Sequence, residues 1–230
     1  MIVADRKPMD EILAMLAPYK RVLVLGCGGC VTVCLTGGEK QADLLASQLR
    51  LAATAAGRAD MQVDVDCITR QCDQEFTANL KKPLDQYDAV LSIACGVGVG
   101  YMSEVFPKAT VLPGLNTTSF DANTKKGVWQ EYCGGCGDCM LAETGGICPI
   151  VRCSKSLVNG ACGGTSNGKC EVSKDMDCGW YLIFKKLQET GRLDLYTKLR
   201  PAKKWSKDRC GKGARRLTHT ELMEIEETSK

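Results

Sequence analysis

Fifteen of the 230 residues are cysteine, and their spacing carries the most direct chemical signal in the sequence. Cys133-Gly-Gly-Cys136-Gly-Asp-Cys139 is followed by Cys148-Pro149. Two successive Cys-x-x-Cys steps place three thiolates around a cubane cluster, and a closing Cys-Pro is a ferredoxin habit. Zinc more often takes isolated pairs, so the triplet favours iron-sulfur. Eight residues, rather than three, precede the Cys-Pro, which leaves the fourth ligand as Cys148 or a later cysteine. Glycines between the ligands predict turns of positive φ that aim N–H groups at sulfur.

A second group is Cys27-Gly-Gly-Cys30-Val-Thr-Val-Cys34, with Cys72 and Cys95 further along. Five thiols are one more than a four-cysteine cluster needs. The rival readings are a dithiol redox pair at Cys27 and Cys30, activated by a helix N-terminus, and inert structural thiols. Cys67 is left out first, because its place in a strand is explained by burial. A third group is Cys153, Cys162, Cys170 and Cys178. Its spacing fits one tetrahedral zinc or one further cluster equally. Cys210 stands alone and reads as a free thiol.

The elements that must position these thiols alternate between strands and helices. Arg21-Val-Leu-Val-Leu-Gly26, Met61-Gln-Val-Asp-Val-Asp66, Asp88-Ala-Val-Leu-Ser-Ile-Ala94 and Ala109-Thr-Val-Leu-Pro113 read as strands. Residues 39–56, with Leu44, Leu45, Leu49 and Ala52 at helical spacing, read as a helix, as do residues 69–84 and a short stretch at 102–106. Strand and helix in alternation predict a parallel sheet. The fold class is therefore α/β: a small Rossmann- or flavodoxin-like parallel-sheet domain over about residues 18–118, then a Cys-rich, metal-stabilised irregular module, a C-terminal helix and a tail. In this scheme the first cysteine group lies at the carboxyl edge of the sheet, where open α/β folds bind ligands.

The expected division is residues 1–122 for the α/β domain, 123–197 for the Cys-rich module and 198–230 for a basic tail. Between positions 133 and 178 lie eight cysteines in 46 residues. So little room remains for an apolar core that metal must substitute for it. Residues 179–190, with Trp180, Leu182, Ile183, Phe184 and Leu187, read as one amphipathic helix closed by Gly191.

Other classes are set aside. The first eight residues hold no apolar run of the kind a secretory leader needs, and the longest apolar stretch, residues 89–99, is too short for a bilayer. The expectation is a cytoplasmic protein whose thiols stay reduced. Residues 198–216 carry nine Lys and Arg against Asp208, within a formal net charge of +3. A single Trp there and no recognition motif argue against nucleic acid, so the tail reads as solvated or partner-docking. Gly96-Val-Gly98-Val-Gly100 lacks the third glycine of a dinucleotide loop, because Tyr101 stands in its place. His219 lies in a polar tail, and Asp138, Glu131 and Glu143 read as solvated carboxylates. No set of residues is equipped to transform a substrate alone; the implied chemistry is movement of electrons.

These residues resemble a known family. Glu131-Tyr-Cys133 through Cys139, Thr144-Gly-Gly-Ile-Cys148-Pro149, Arg152-Cys153-Ser-Lys155, Asn159-Gly-Ala-Cys162-Gly-Gly164, Gly168-Lys-Cys170-Glu171 and Cys178-Gly-Trp180 look like the methylenetetrahydrofolate reductase C-terminal Cys-rich family. Gly26-Cys-Gly-Gly-Cys30, Gly37-Gly-Glu39, Arg70-Gln-Cys72, Ser92-Ile-Ala-Cys95-Gly96 and Leu115-Asn-Thr-Thr118 are similar to the MetV-type iron-sulfur subunits of acetogenic bacteria. Ala161 departs from the proline often found before that cysteine.

The resemblance implies an electron-transfer subunit of an oxidoreductase, not catalytic alone. It would feed the FMN of a separate methylenetetrahydrofolate reductase subunit, which reduces 5,10-methylenetetrahydrofolate to 5-methyltetrahydrofolate in the methyl branch of acetogenic carbon fixation. Implied 4Fe-4S ligands are Cys27, Cys30, Cys34, Cys72 and Cys95 in the first half, and Cys133, Cys136, Cys139 and Cys148 in the second. Cys153, Cys162, Cys170 and Cys178 would hold a further cluster or one zinc, giving two or three clusters in all. Ferredoxin or another electron-input subunit is the implied donor. The alternative is a zinc-stabilised docking subunit of the same flavoenzyme without a redox role.

Overall fold

The computed structural model describes residues 1–207, and the chain divides into two compact units, Met1–Glu131 and a second from Tyr132 onward. Cys210 and His219 lie outside the described residues. No helix among those described is long and apolar enough to cross a membrane.

The first unit is an α/β fold. In chain order it contains β1 (Ile2–Arg6), α1 (Met9–Leu16), β2 (Arg21–Cys27), α2 (Cys30–Val33), α3 (Glu39–Ala55), β3 (Gln62–Ile68), α4 (Gln74–Thr77), β4 (Ala89–Ile93), α5 (Gly96–Val105), β5 (Val111–Pro113) and β6 (Leu115–Lys125). β7 (Val128–Cys133) closes it. Four strands form a parallel sheet in the order β3-β2-β4-β5. The order reverses between β2 and β4, the flavodoxin-like arrangement that opens a crevice at the carboxyl ends of those two strands.

β2 and β4 are continuous apolar runs because both faces of the sheet are covered. Alternate residues serve opposite faces. Val22, Val24, Leu91 and Ile93 pack with Ile12 and Leu16 of α1 and with Ala42, Leu45, Ala46 and Leu49 of α3. Leu23, Leu25 and Val90 pack with Ile68, Leu84 and Met102 on the other side. The buried positions of α3 repeat at helical spacing, one stripe facing the sheet.

Three local expectations are corrected. Residues 69–84 are not one helix. Only α4 and a single 3-10 turn at Leu84–Gln86 form there, because Asp73 caps α4 through the Glu75 N–H and Pro83 interrupts the run. α5 begins at Gly96, directly after Cys95, instead of near residue 102. A second sheet, ordered β1-β6-β7, was not anticipated. β1 pairs antiparallel with β6 and brings Val3 and Ala4 into the main core. β6 is mostly exposed and rich in Thr and Asn, so it lacks the apolar alternation that would have marked it.

The second unit contains α6 (Pro149–Arg152), α7 (Gly179–Glu189) and α8 (Asp194–Thr197) joined by long irregular segments. Its core is small: Cys178, Trp180, Ile183 and Leu187, flanked by Ile147, Leu157, Leu195 and Tyr196. Trp180 donates its indole N–H to Leu157 O at 2.9 Å, and Tyr196 meets Trp180 and Phe184 edge-on. A core cluster of four buried hydrophobic residues is small for a unit of this length, so its irregular loops need another source of order.

Candidate cysteine centres

At the crevice between β2 and β4, Cys27 ends β2, Cys30 opens α2, and Cys95 is the N-cap of α5. Cys72 lies in the turn after β3. Cys27 and Cys95 are buried, Cys30 is half-buried and Cys72 is exposed. Burial pushes the Cys72 thiol up, and the next contributions come from Cys27, Cys95 and Cys30. The four thiols are carried by segments at the carboxyl ends of β2, β3 and β4. The Gly96 N–H, first in α5, is taken by Thr117 Oγ1 at 2.8 Å, which ties the N-terminus of α5 to β6.

Cys34 is buried in the same core as Cys27 and Cys95. Its sulfur lies 3.2 Å from Thr36 Oγ1, 3.5 Å from Val31 O and 3.9 Å from Ala4 O, on the side packed against β1. Burial, with the Cys27 and Glu39 charges, pushes the Cys67 thiol up to about 11. Its sulfur would lie 2.8 Å from a Cβ placed at Gly26, so Gly26 leaves room for it.

In the second unit Cys133, Cys136, Cys139 and Cys148 line one cavity of about 280 Å³, with Tyr132, Met140, Leu141 and Ile150 as apolar walls. Gly135 and Gly137 between them adopt φ of 63° and 76°, the left-handed region where a Cβ is penalised. The Gly135 N–H donates to Cys133 Sγ at 3.4 Å. Pro149 occupies the first turn of α6 after Cys148, where its missing N–H costs nothing.

Cys153, Cys162, Cys170 and Cys178 line a separate, smaller cavity of about 10 Å³ with Lys155, Glu171 and Trp180. Cys178 is the N-cap of α7, and its N–H donates to Gly168 O at 2.8 Å. Ser154 Oγ lies 3.6 Å from Cys170 Sγ, and this hydrogen bond is the main cause of a lowered Cys170 thiol. Cys162 Sγ lies 3.6 Å from Glu171 Oε1, whose carboxylate also pairs with Lys155.

Among the described residues no three Cys, His, Asp or Glu side chains are placed to bind one metal ion. Tetrahedral zinc draws four sulfurs to within about 3.8 Å of one another, since each Zn–S bond is about 2.3 Å. A four-iron cubane binds each thiolate to a different iron, and its ligands stand farther apart. Soft sulfur donors, a glycine N–H aimed at sulfur and an apolar-walled cavity fit such a cluster at Cys133, Cys136, Cys139 and Cys148.

Two expectations about charge are corrected. Asp138, between Cys136 and Cys139, is not a solvated carboxylate: its side chain is 18% exposed and faces Lys203, Arg200 and Lys207. The Lys204 N–H leads the causes that lower its pKa. The start of the basic tail is not freely solvated either. Lys203 is buried and donates to Asp138 O at 2.7 Å, while Arg200 pairs with Glu143 and its N–H donates to Asn159 Oδ1. This strap over the cysteine loop was not legible in the sequence, where the same lysines read as a charge run.

Gln71 and Ser92 were also missed as a structural pair; both are fully buried beside the first cysteine group. A lone hydroxyl in the apolar stretch of β4 was the available signal, since buried polar groups need partners.

Residues 112–206 match the family model described as "Methylene-tetrahydrofolate reductase C terminal". This part of the chain is similar to the C-terminal segment of methylene-tetrahydrofolate reductases. No curated protein and no solved structure matches the chain. The segment takes in β6, β7, all eight cysteines from Cys133 to Cys178, α7 and the strap through Lys203. The match relates the chain to the C-terminal region of an oxidoreductase of one-carbon metabolism. Cys27, Cys30, Cys72 and Cys95 lie before the matched segment begins.

Proposed function

We propose that this chain is the iron-sulfur electron-transfer subunit of a methylenetetrahydrofolate reductase, passing electrons to the FMN of a separate catalytic subunit that reduces 5,10-methylenetetrahydrofolate to 5-methyltetrahydrofolate. The observation that carries this reading is the gathering of Cys133, Cys136, Cys139 and Cys148 around one cavity of about 280 Å³ within a reductase-related segment. Clusters would supply one-electron steps between a donor, such as a ferredoxin or another electron-input subunit, and the flavin. The chain's own part is to hold thiolates at fixed separations, to limit solvent around them and to aim N–H donors at sulfur.

In this reading Cys27, Cys30, Cys72 and Cys95 hold one cluster and Cys133, Cys136, Cys139 and Cys148 a second. Cys153, Cys162, Cys170 and Cys178 hold a third cluster or one zinc. Setting Cys34 aside narrows the first group from five candidates to four.

The test is iron, zinc and acid-labile sulfide per chain in anaerobically purified protein. Eight to twelve irons with matching sulfide are expected, at about four per cluster. Zinc near one or two without sulfide would overturn the redox reading and leave a docking subunit. Cys136→Ser should then abolish electron delivery to the flavin subunit, and an undiminished rate would remove that centre from the path.

A further inference from the structure

Gln71 is 0% exposed and uses its whole amide on the ends of the two central strands. Its Nε2 donates to Leu25 O at 2.9 Å and Gly26 O at 3.0 Å. Its Oε1 accepts from Ser92 Oγ at 2.6 Å, and Ser92 Oγ accepts in turn from the Ala94 N–H at 3.3 Å. The amide orientation is fixed by these partners, because two carbonyls can only accept.

Every segment held this way leads directly into a thiol of the crevice. Gly26 precedes Cys27, Gln71 precedes Cys72, and Ala94 precedes Cys95. Space for the amide is reserved from the opposite side. A Cβ at Gly98 would come within 2.9 Å of Ala94 Cβ and 3.1 Å of Gln71 Cβ. The central glycine of Gly96-Val-Gly98-Val-Gly100 thus lets α5 approach the buried amide.

We propose that Gln71, locked by Ser92, is a positioning residue that holds the backbone turns bearing Cys27, Cys72 and Cys95 in one constellation. A fully buried amide with all of these bonds made is directional where apolar packing is not. β2 and β4 need no such side chain for their own ladder, so the clamp acts at the point where the ladder ends and the thiol-bearing turns begin. That the constellation holds a cluster rests on the function proposed above; the clamp itself rests only on these contacts.

The experiment compares full-length wild-type chain, Gln71→Leu and Ser92→Ala by iodoacetamide labelling, with peptide mass spectrometry reading the rate at each cysteine. Cys34 is the internal reference, being buried in the same unit but outside the clamp. Gln71→Leu should raise the ratio of Cys95 to Cys34 labelling by about tenfold or more, because three buried bonds are lost together. Ser92→Ala, which removes two but leaves both bonds from Gln71 to β2 in place, should raise it less. An unchanged ratio overturns the proposal. So does a parallel rise at Cys34 and Cys95, which would mean general loosening. Iron and sulfide are measured on the same samples, and Gln71→Leu should lose about one cluster's worth, roughly four irons. Wild-type protein without iron or sulfide would end the cluster reading, while the labelling ratio would still decide the clamp.

Discussion

Lys203 places its ammonium 2.7 Å from the backbone carbonyl oxygen of Asp138, with 1% of its side chain exposed. A buried cation is tolerated only where it is bonded. Here a residue 65 positions downstream pins the two-residue link between Cys136 and Cys139. Lys203→Met keeps the length and removes the donor, and the bond to a charged group is worth about 1.5–3 kcal/mol. Amide exchange across residues 136–143 should accelerate by about one to two orders of magnitude; exchange at the wild-type rate would show that Lys203 does not hold the loop.

In the proposed reading Cys34 is the cysteine of the first group left out of the cluster. Its sulfur is occupied by Thr36 Oγ1 and faces the carbonyl oxygens of Val31 and Ala4. Cys34→Ser should keep the iron and sulfide content of the wild type, whereas Cys95→Ser should lose about four of each. Equal losses in the two variants would return Cys34 to the ligand set.

Cys67 offers a pH-dependent readout. With its thiol pushed up to about 11, roughly one molecule in a thousand carries the thiolate at pH 8. Its alkylation rate should climb about tenfold per pH unit from pH 7 to pH 10, because the nucleophile is the minor form throughout that range. A plateau by pH 9 would contradict the raised value.

Asp88 joins the start of β2 to the start of β4, accepting the N–H groups of Lys20 and Arg21 at 2.9 and 2.8 Å. The Arg21 N–H, then the Lys20 N–H, hold its carboxyl below the usual 3.8. A carboxylate with a depressed folded-state pKa binds fewer protons when folded than when unfolded. Its stabilising contribution is therefore complete above the unfolded value near pH 4 and is lost as pH falls through the lower folded value. Asp88→Ala should lower the thermal midpoint at pH 7, and the gap from wild type should narrow as pH falls below the unfolded value and through the lower folded one. A gap that persists into acid would assign the effect to packing instead of charge.

Particular elements show where the sequence was sufficient. The apolar runs of β2 and β4 could only be strands buried on both faces, and the spacing of Leu44, Leu45, Leu49 and Ala52 marked a helix, although the buried stripe is Ala42, Leu45, Ala46, Leu49 and Ala53, with Leu44 exposed. Together they sufficed to place Cys27 and Cys95 at a carboxyl edge. The left-handed turns at Gly135 and Gly137 followed from the glycine spacing alone, because few other residues accept that backbone at low cost.

The remainder depended on contacts that no local pattern encodes. β1 and β6 stabilise each other across more than a hundred residues, and neither has an apolar period strong enough to announce a strand by itself. Spacing could count five thiols near the crevice but could not turn Cys34 toward Ala4. Nor could it pass the Gln71 amide between the ends of two strands or lay Lys203 on Asp138. Periodicity reports which face of an element is buried, and a sequence therefore specifies its elements and the edge where its chemistry lies. Hydrogen bonds between distant segments depend on how those elements pack, and only the tertiary structure decides which donor meets which acceptor.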